Sequence, residues 1–170
     1  MKLPDRYMEL ILPLIEKAKE FLAAGESLTP IVFVGSFGSG QIIPIVIDTR
    51  SEESKDISAQ AIRISAESID ADFVFSVIEG WGLPRDKMPR YQEIIERYGS
   101  IAASPWKVDT ANFMLETCHG VWVAQVPLKF KAPSKKRRIF AVPLHLQFVD
   151  GVEGRFGQLL PVRESTGTLH

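Results

Sequence analysis

A chain of 170 residues, 45% hydrophobic and 24% charged, has the composition of an ordinary globular protein, which excludes a disordered or fibrous class. Its 20 basic and 21 acidic residues nearly cancel, so no global field draws it to nucleic acid or to an anionic membrane, and neither is an expected partner. A single cysteine, Cys118, excludes an intrachain disulfide and suits a reducing compartment and a buried, inert thiol.

Charges at Lys2, Asp5, Arg6 and Glu9 interrupt the start of the chain, so no secretory signal core is read there. No apolar run approaches the roughly 20 residues that span a bilayer. The expectation is a soluble, cytoplasmic protein of one domain, 1–170, with a core of its own.

From about Asp5 to Ala24, Met8, Ile11, Leu12, Ile15, Ala18 and Leu22 recur at steps of three and four, the stripe of a helix packed on a core. Gly25 is placed to end it, and Pro13 predicts a kink or a break inside it. The strand-like Ile31–Val34 leads into Gly35-Ser36-Phe37-Gly38-Ser39-Gly40, whose glycine spacing resembles the P-loop of nucleotide triphosphatases. That motif needs a Lys and a hydroxyl residue next, where this chain has Gln41 and Ile42. The β-branched run Ile42–Ile47 follows instead of a helix, so the hexamer is read as the connection of a β-hairpin.

Ser51-Glu52-Glu53 opens a second helix, running to about Ile69, with a capping hydroxyl and acids in its first turn. Its apolar side is read as Ile57, Ala61, Ile62, Ile64, Ala66 and Ile69. Phe73–Ile78 is apolar on both alternating faces, as befits a central strand. Tyr91, Ile94, Ile95 and Tyr98 mark a short third helix that Gly99 terminates, and an irregular stretch with Trp106 as its anchor follows. Period-two alternation then takes over: Trp122 to Phe130 and Phe140 to Phe148 read as two strands of an antiparallel hairpin, with further strands near Phe113–Thr117 and Gly157–Leu160. The fold class expected is α+β: three helices on a mostly antiparallel or mixed sheet of six or seven strands.

Over roughly the first hundred residues, the order helix, strand, strand, helix, strand, helix is similar to the cytidine-deaminase fold. That family sets a His or Cys with a catalytic Glu at its second helix and a Pro-Cys-x-x-Cys pair at its third. Ser51-Glu52-Glu53 and an absence of cysteine stand at those places, so the resemblance carries over neither zinc nor deamination. His119, His145 and His170 are badly spaced for a metal site, and no metal or cofactor is expected. His145 is read as a polar residue on the wetter face of a strand.

Two segments carry chemistry. Glu79, Trp81, Arg85 and Asp86 lie in what reads as a loop beyond the central strand, where open sheets collect small ligands. Lys129, Lys131, Lys135, Lys136, Arg137 and Arg138 project from the hairpin as a basic run suited to phosphates or to an acidic protein partner. No nucleophile, base and orienting residue assemble from sequence. The expected function is therefore a non-catalytic binding or protein-interaction domain, its partner a protein or a second copy at a strand edge. A metal-independent enzyme or small-ligand sensor at the Glu79 to Asp86 loop, and a polyanion binder using residues 129–138, are the alternatives.

Overall fold

The structure, a computed structural model, describes residues 1–150 and 158–161. Helix α1 (Asp5–Ala23) buries Tyr7, Ile11, Ile15, Ala18 and Leu22. Pro13 does not break it: the proline sits on the exposed side, where the one amide donor it lacks costs the core nothing. Gly25 closes the helix in the left-handed region, φ 85°. Its N–H donates to Leu22 O at 3.1 Å and the Glu26 N–H to Phe21 O at 3.0 Å, the paired bonds of a Schellman ending.

Strands β1 (Ile31–Gly35) and β2 (Ile42–Val46) form the expected antiparallel hairpin. The Ser36 N–H donates to Gln41 O and the Ile47 N–H to Pro30 O, both at 2.9 Å. Alternation between these two bonds makes 34/43 and 32/45 the hydrogen-bonded pairs, so Ile42, Pro44 and Val46 turn their backbone groups outward. Gly35 is obligatory, since a methyl group there would overlap the Phe73 ring.

Helix α2 (Glu52–Ser68) starts where the Ser51 hydroxyl accepts the Ser54 N–H at 3.0 Å. It packs on β1 and β2 through Ser58, Ala59, Ile62 and Ala66. The broad apolar side expected of it is narrower: Ile57, Ala61 and Ile64 are exposed, because at about 100° per residue they fall roughly opposite the Ala59, Ile62, Ala66 stripe.

Strand β3 spans Phe73–Gly82, four residues longer than the apolar run suggested. A 3₁₀ turn (Arg85–Arg90) leads into α3 (Tyr91–Tyr98), which Gly99 ends at φ 84°. Then come β4 (Val108–Thr117), β5 (Gly120–Phe130), β6 (Arg138–Phe140) and β7 (Gln147–Val149). The single strand expected from Phe140 to Phe148 is thus two short ones; the Ala141 N–H still donates to Pro127 O at 2.8 Å, and residues 142–146 leave the ladder. Pro143 supplies no donor there, which alternation of apolar residues alone does not reveal. Of the strand expected near Gly157–Leu160, residue 157 lies outside the described residues and 158–160 are not in a strand.

The strands pair in the order β2-β1-β3-β4-β5-β6, with β7 also on β5, giving an α+β fold of three helices and a seven-stranded antiparallel sheet. The chain packs as two compact units. One holds Met1–Thr29, Val77–Phe113 and Val123–Gln147; in it α1 lies against β6, and the Phe113 and Phe140 rings meet edge-on at 6.0 Å. The other holds Pro30–Ser76, Met114–Trp122 and the described residues from Phe148 on; its core includes Val32, Val34, Ile62, Phe75 and Trp122, the last with its ring 5.2 Å from Phe148. Among the described residues no helix is long and apolar enough to cross a membrane.

Candidate functional site

Extension of β3 to Gly82 corrects the first candidate site: Glu79 and Trp81 are strand residues, and the loop starts only at Leu83. The Glu79 carboxylate is occupied. It accepts from Arg138 Nη2 at 2.9 Å, from Arg138 Nη1 at 3.2 Å and from the Leu28 N–H at 2.6 Å. Arg138 also reaches Asp109 at 3.6 Å and the Glu26 carbonyl at 3.4 Å. With side chains 11% and 24% exposed, Arg138 and Glu79 form a largely desolvated pair in which each partner compensates the burial of the other. Trp81 remains half exposed with the Lys107 ammonium 5.3 Å from its ring. Arg85 and Asp86 are exposed on the 3₁₀ turn and share no hydrogen bond or ion pair with Glu79 among the described residues. Trp106 anchors the following loop, held edge-on by Tyr98 at 5.7 Å and capped by Lys87 and Arg90 at 5.2 and 5.3 Å.

The glycine-rich hexamer behaves as a hairpin connection. Its Phe37 N–H, an amide that a phosphate cradle would present to an anion, donates instead to the Asp72 carboxylate at 2.5 Å.

The basic hairpin is built by cross-strand pairing of Leu128 with Phe140, Lys129 with Ile139 and Phe130 with Arg138. The Lys131 N–H continues the ladder to Arg137 O at 2.8 Å, and the Ser134 hydroxyl accepts the Lys136 and Arg137 amides at 3.1 and 3.0 Å. Opposed residues share a face. Arg138 therefore points with Phe140 towards α1 and Glu79 and leaves the basic run, whereas Lys129, Lys131 and Arg137 share the other face. Lys129, Lys131, Lys135, Lys136 and Arg137 are exposed, and none has an ion-pair partner among the described residues. Several cations elsewhere are paired locally, as in Lys2 with Asp5, Lys17 with Glu20, Lys19 with Glu16, Lys55 with Glu52 and Arg90 with Glu93.

On the same unit, Gly80 and Gly82 lie under side chains of the neighbouring strands. A methyl group on Gly80 would meet the Asn112 amide at 2.7 Å and Thr110 Oγ1 at 3.7 Å; one on Gly82 would meet Thr110 Cγ2 at 3.1 Å and the Gln125 amide at 3.2 Å. Thr110 is 1% exposed, and its hydroxyl has no hydrogen-bond partner among the described residues, a deficit of about 1–3 kcal/mol.

Three features escaped the sequence. Glu116 is buried and takes the Leu159 and Leu160 amides at 2.8 and 3.3 Å, beside a cleft of about 350 Å³ that Asp72, Thr117 and Cys118 also line. Burial pushes its carboxyl up from the usual range, while the two amides and Arg63 oppose the shift. Cys118 itself is exposed at the β4–β5 turn rather than buried. An apolar groove of about 550 Å³ runs between α1, at Met8, Leu12 and Ile15, and the 140–144 segment. His145 is exposed, but it lies in the segment between β6 and β7 rather than on the face of a strand as expected.

Among the described residues no group of three or more His, Cys, Asp or Glu is placed to hold a metal ion. Comparisons of the chain with protein-family models, curated proteins and solved structures gave no match.

Proposed function

We propose that this protein is a non-catalytic interaction domain whose hairpin at 129–138 grips an acidic segment of a protein partner. The observation that carries the reading is the concentration of charge: five exposed cations crowd one hairpin with no ion-pair partner among the described residues, in a protein of net charge -1. Exposed cations left unneutralised on an ordered turn attract and orient an anionic partner, more through association rate and specificity than through raw affinity. A small-ligand site at Glu79 to Asp86 has less support, because three donors already fill the Glu79 carboxylate.

A fluorescein-labelled ten-residue glutamate peptide tests the reading by anisotropy. Binding is expected at low salt and should weaken steeply as ionic strength shortens the screening length to about 8 Å near 0.15 M. Replacing Lys129, Lys131, Lys135, Lys136 and Arg137 together by Ala should abolish it while leaving thermal unfolding nearly unchanged, since exposed substitutions shift stability by about 0.5 kcal/mol or less each. An unmodified protein that does not bind the peptide at low salt refutes the proposal.

A further inference from the structure

The cationic hairpin runs into the apolar groove beside α1. Met8, Leu12, Ile15 and Lys19 recur at steps of three and four, so they share one stripe of the helix, about 16 Å long at roughly 1.5 Å per residue. Phe140, Val142 and Leu144 stand on the opposite wall. The groove is open to solvent, with Leu12 49% and Val142 50% exposed. Two contacts fix how the wall runs along the helix. A methyl group on Gly25 would lie 3.3 Å from Lys136 Cβ, and the Lys19 ammonium stands 5.2 Å from the Phe140 ring. From the hairpin tip the chain therefore travels back along α1 from its C-terminal end, and the groove begins where the basic run stops. Lys19, at that hairpin end, is the one charged side chain on the lining among the described residues. Its bond to Glu16 at 2.9 Å joins two half-exposed side chains, a pairing worth little in water and readily exchanged.

We infer that the partner's acidic segment continues into an apolar stretch, which lies in this groove with its side chains on Leu12, Ile15 and Val142. This rests on the acidic-partner reading of the hairpin. Charge complementarity orients the segment: its carboxylates reach Lys136 and Lys19, and beyond Lys19 the lining side chains are all apolar. A segment acidic throughout gains nothing there, since a carboxylate in an apolar groove loses hydration with no cation to replace it. Leucine- or phenylalanine-sized side chains instead take the exposed walls out of water, and such buried anchors supply the affinity that a cationic turn alone lacks. A nucleic acid is disfavoured because its charge repeats at every nucleotide, and past Lys19 the lining has no cation to meet it.

The probes are two fluorescein-labelled peptides, five glutamates joined to Leu-Leu-Phe-Leu and five glutamates joined to four serines, each made in both chain directions. Anisotropy titration of the full chain at low salt is expected to show the leucine peptide, in its better direction, binding at least about tenfold more tightly than the serine peptide, the worth of burying one aliphatic side chain. Leu12→Gln combined with Val142→Gln changes no charge and alters only half-exposed positions. The double variant should unfold thermally much as the unmodified protein does, bind the leucine peptide no better than the serine peptide, and keep its affinity for the latter. Equal affinities in the unmodified protein, or a leucine advantage that survives the double substitution, overturns the groove and leaves the hairpin reading standing. Undiminished binding of the leucine peptide after the five hairpin cations are replaced by Ala overturns the continuity of hairpin and groove. Failure of the unmodified protein to bind either peptide removes both readings. Displacement of the leucine peptide by dodecanoate below its micelle concentration overturns the choice of partner in favour of a fatty acid. A light-scattering mass that is dimeric for the unmodified protein and monomeric for the double variant overturns it in favour of a second copy.

Discussion

Glu116 sits under opposed influences: desolvation favours its neutral form, and the Leu159 and Leu160 amides favour the carboxylate. Desolvation is the larger, so the folded protein holds this proton at a pH where the unfolded chain, with an ordinary value of 4.5, has released it. The native state then binds more protons than the unfolded one, and the stability contributed by Glu116 falls as pH rises above 4.5, levelling off beyond the raised folded value. Chemical denaturation of the protein and of Glu116→Gln across pH 4 to 7 should show the difference between them declining through that window; a difference that grows with pH would mean that the amides dominate. Sequence gave no access to this residue, because its two donors lie 43 and 44 positions away. Glu79 read as the first residue of a ligand loop beyond the central strand, and its partner Arg138, 59 residues on, as one more member of a surface cluster.

At the scale of elements, local chemistry was legible and interruptions were not. The Ser51 cap, the Gly25 and Gly99 endings and the first hairpin follow from residues within a few positions of one another, and the structure has them all. The strand expected through Phe148 failed because apolar alternation continues past Pro143 even though the ladder does not. Sequence also left open whether a second copy could join at a strand edge. On the terminal strand β2 the outward positions are Ile42, Pro44 and Val46, and the proline removes the middle donor of the three, a standard means of blunting an edge. Pro44→Thr restores that donor on a strand whose outward residues are otherwise apolar. Light scattering should show its average mass rising with concentration more than the unmodified protein's, and identical curves would mean that Pro44 does not guard this edge.

For the molecule as a whole, composition described the average and missed the distribution. A net charge of -1 argues against anion binding, yet the cancellation is uneven: most acids lie outside the hairpin that holds five cations with no ion-pair partner among the described residues. The basic run itself was plain in the sequence. The cluster of Gly80, Thr110 and Gln125 was not, because they come from three strands and become neighbours only in the folded sheet. The Arg138 guanidinium spans greater separations still, bonding Glu79 across 59 residues and the Glu26 carbonyl across 112. Closing such long loops is entropically late, so these bonds are expected to be absent from the transition state, in which the β1–β2 hairpin and the helices are already forming. Arg138→Met leaves Glu79 buried without its counter-charge, at a cost of about 3 kcal/mol. If that cost falls after the transition state, stopped-flow measurements will find the unfolding rate raised by about a hundredfold and the refolding rate almost unaltered. One guanidinium would then set the lifetime of the native state while having no part in how fast that state is reached.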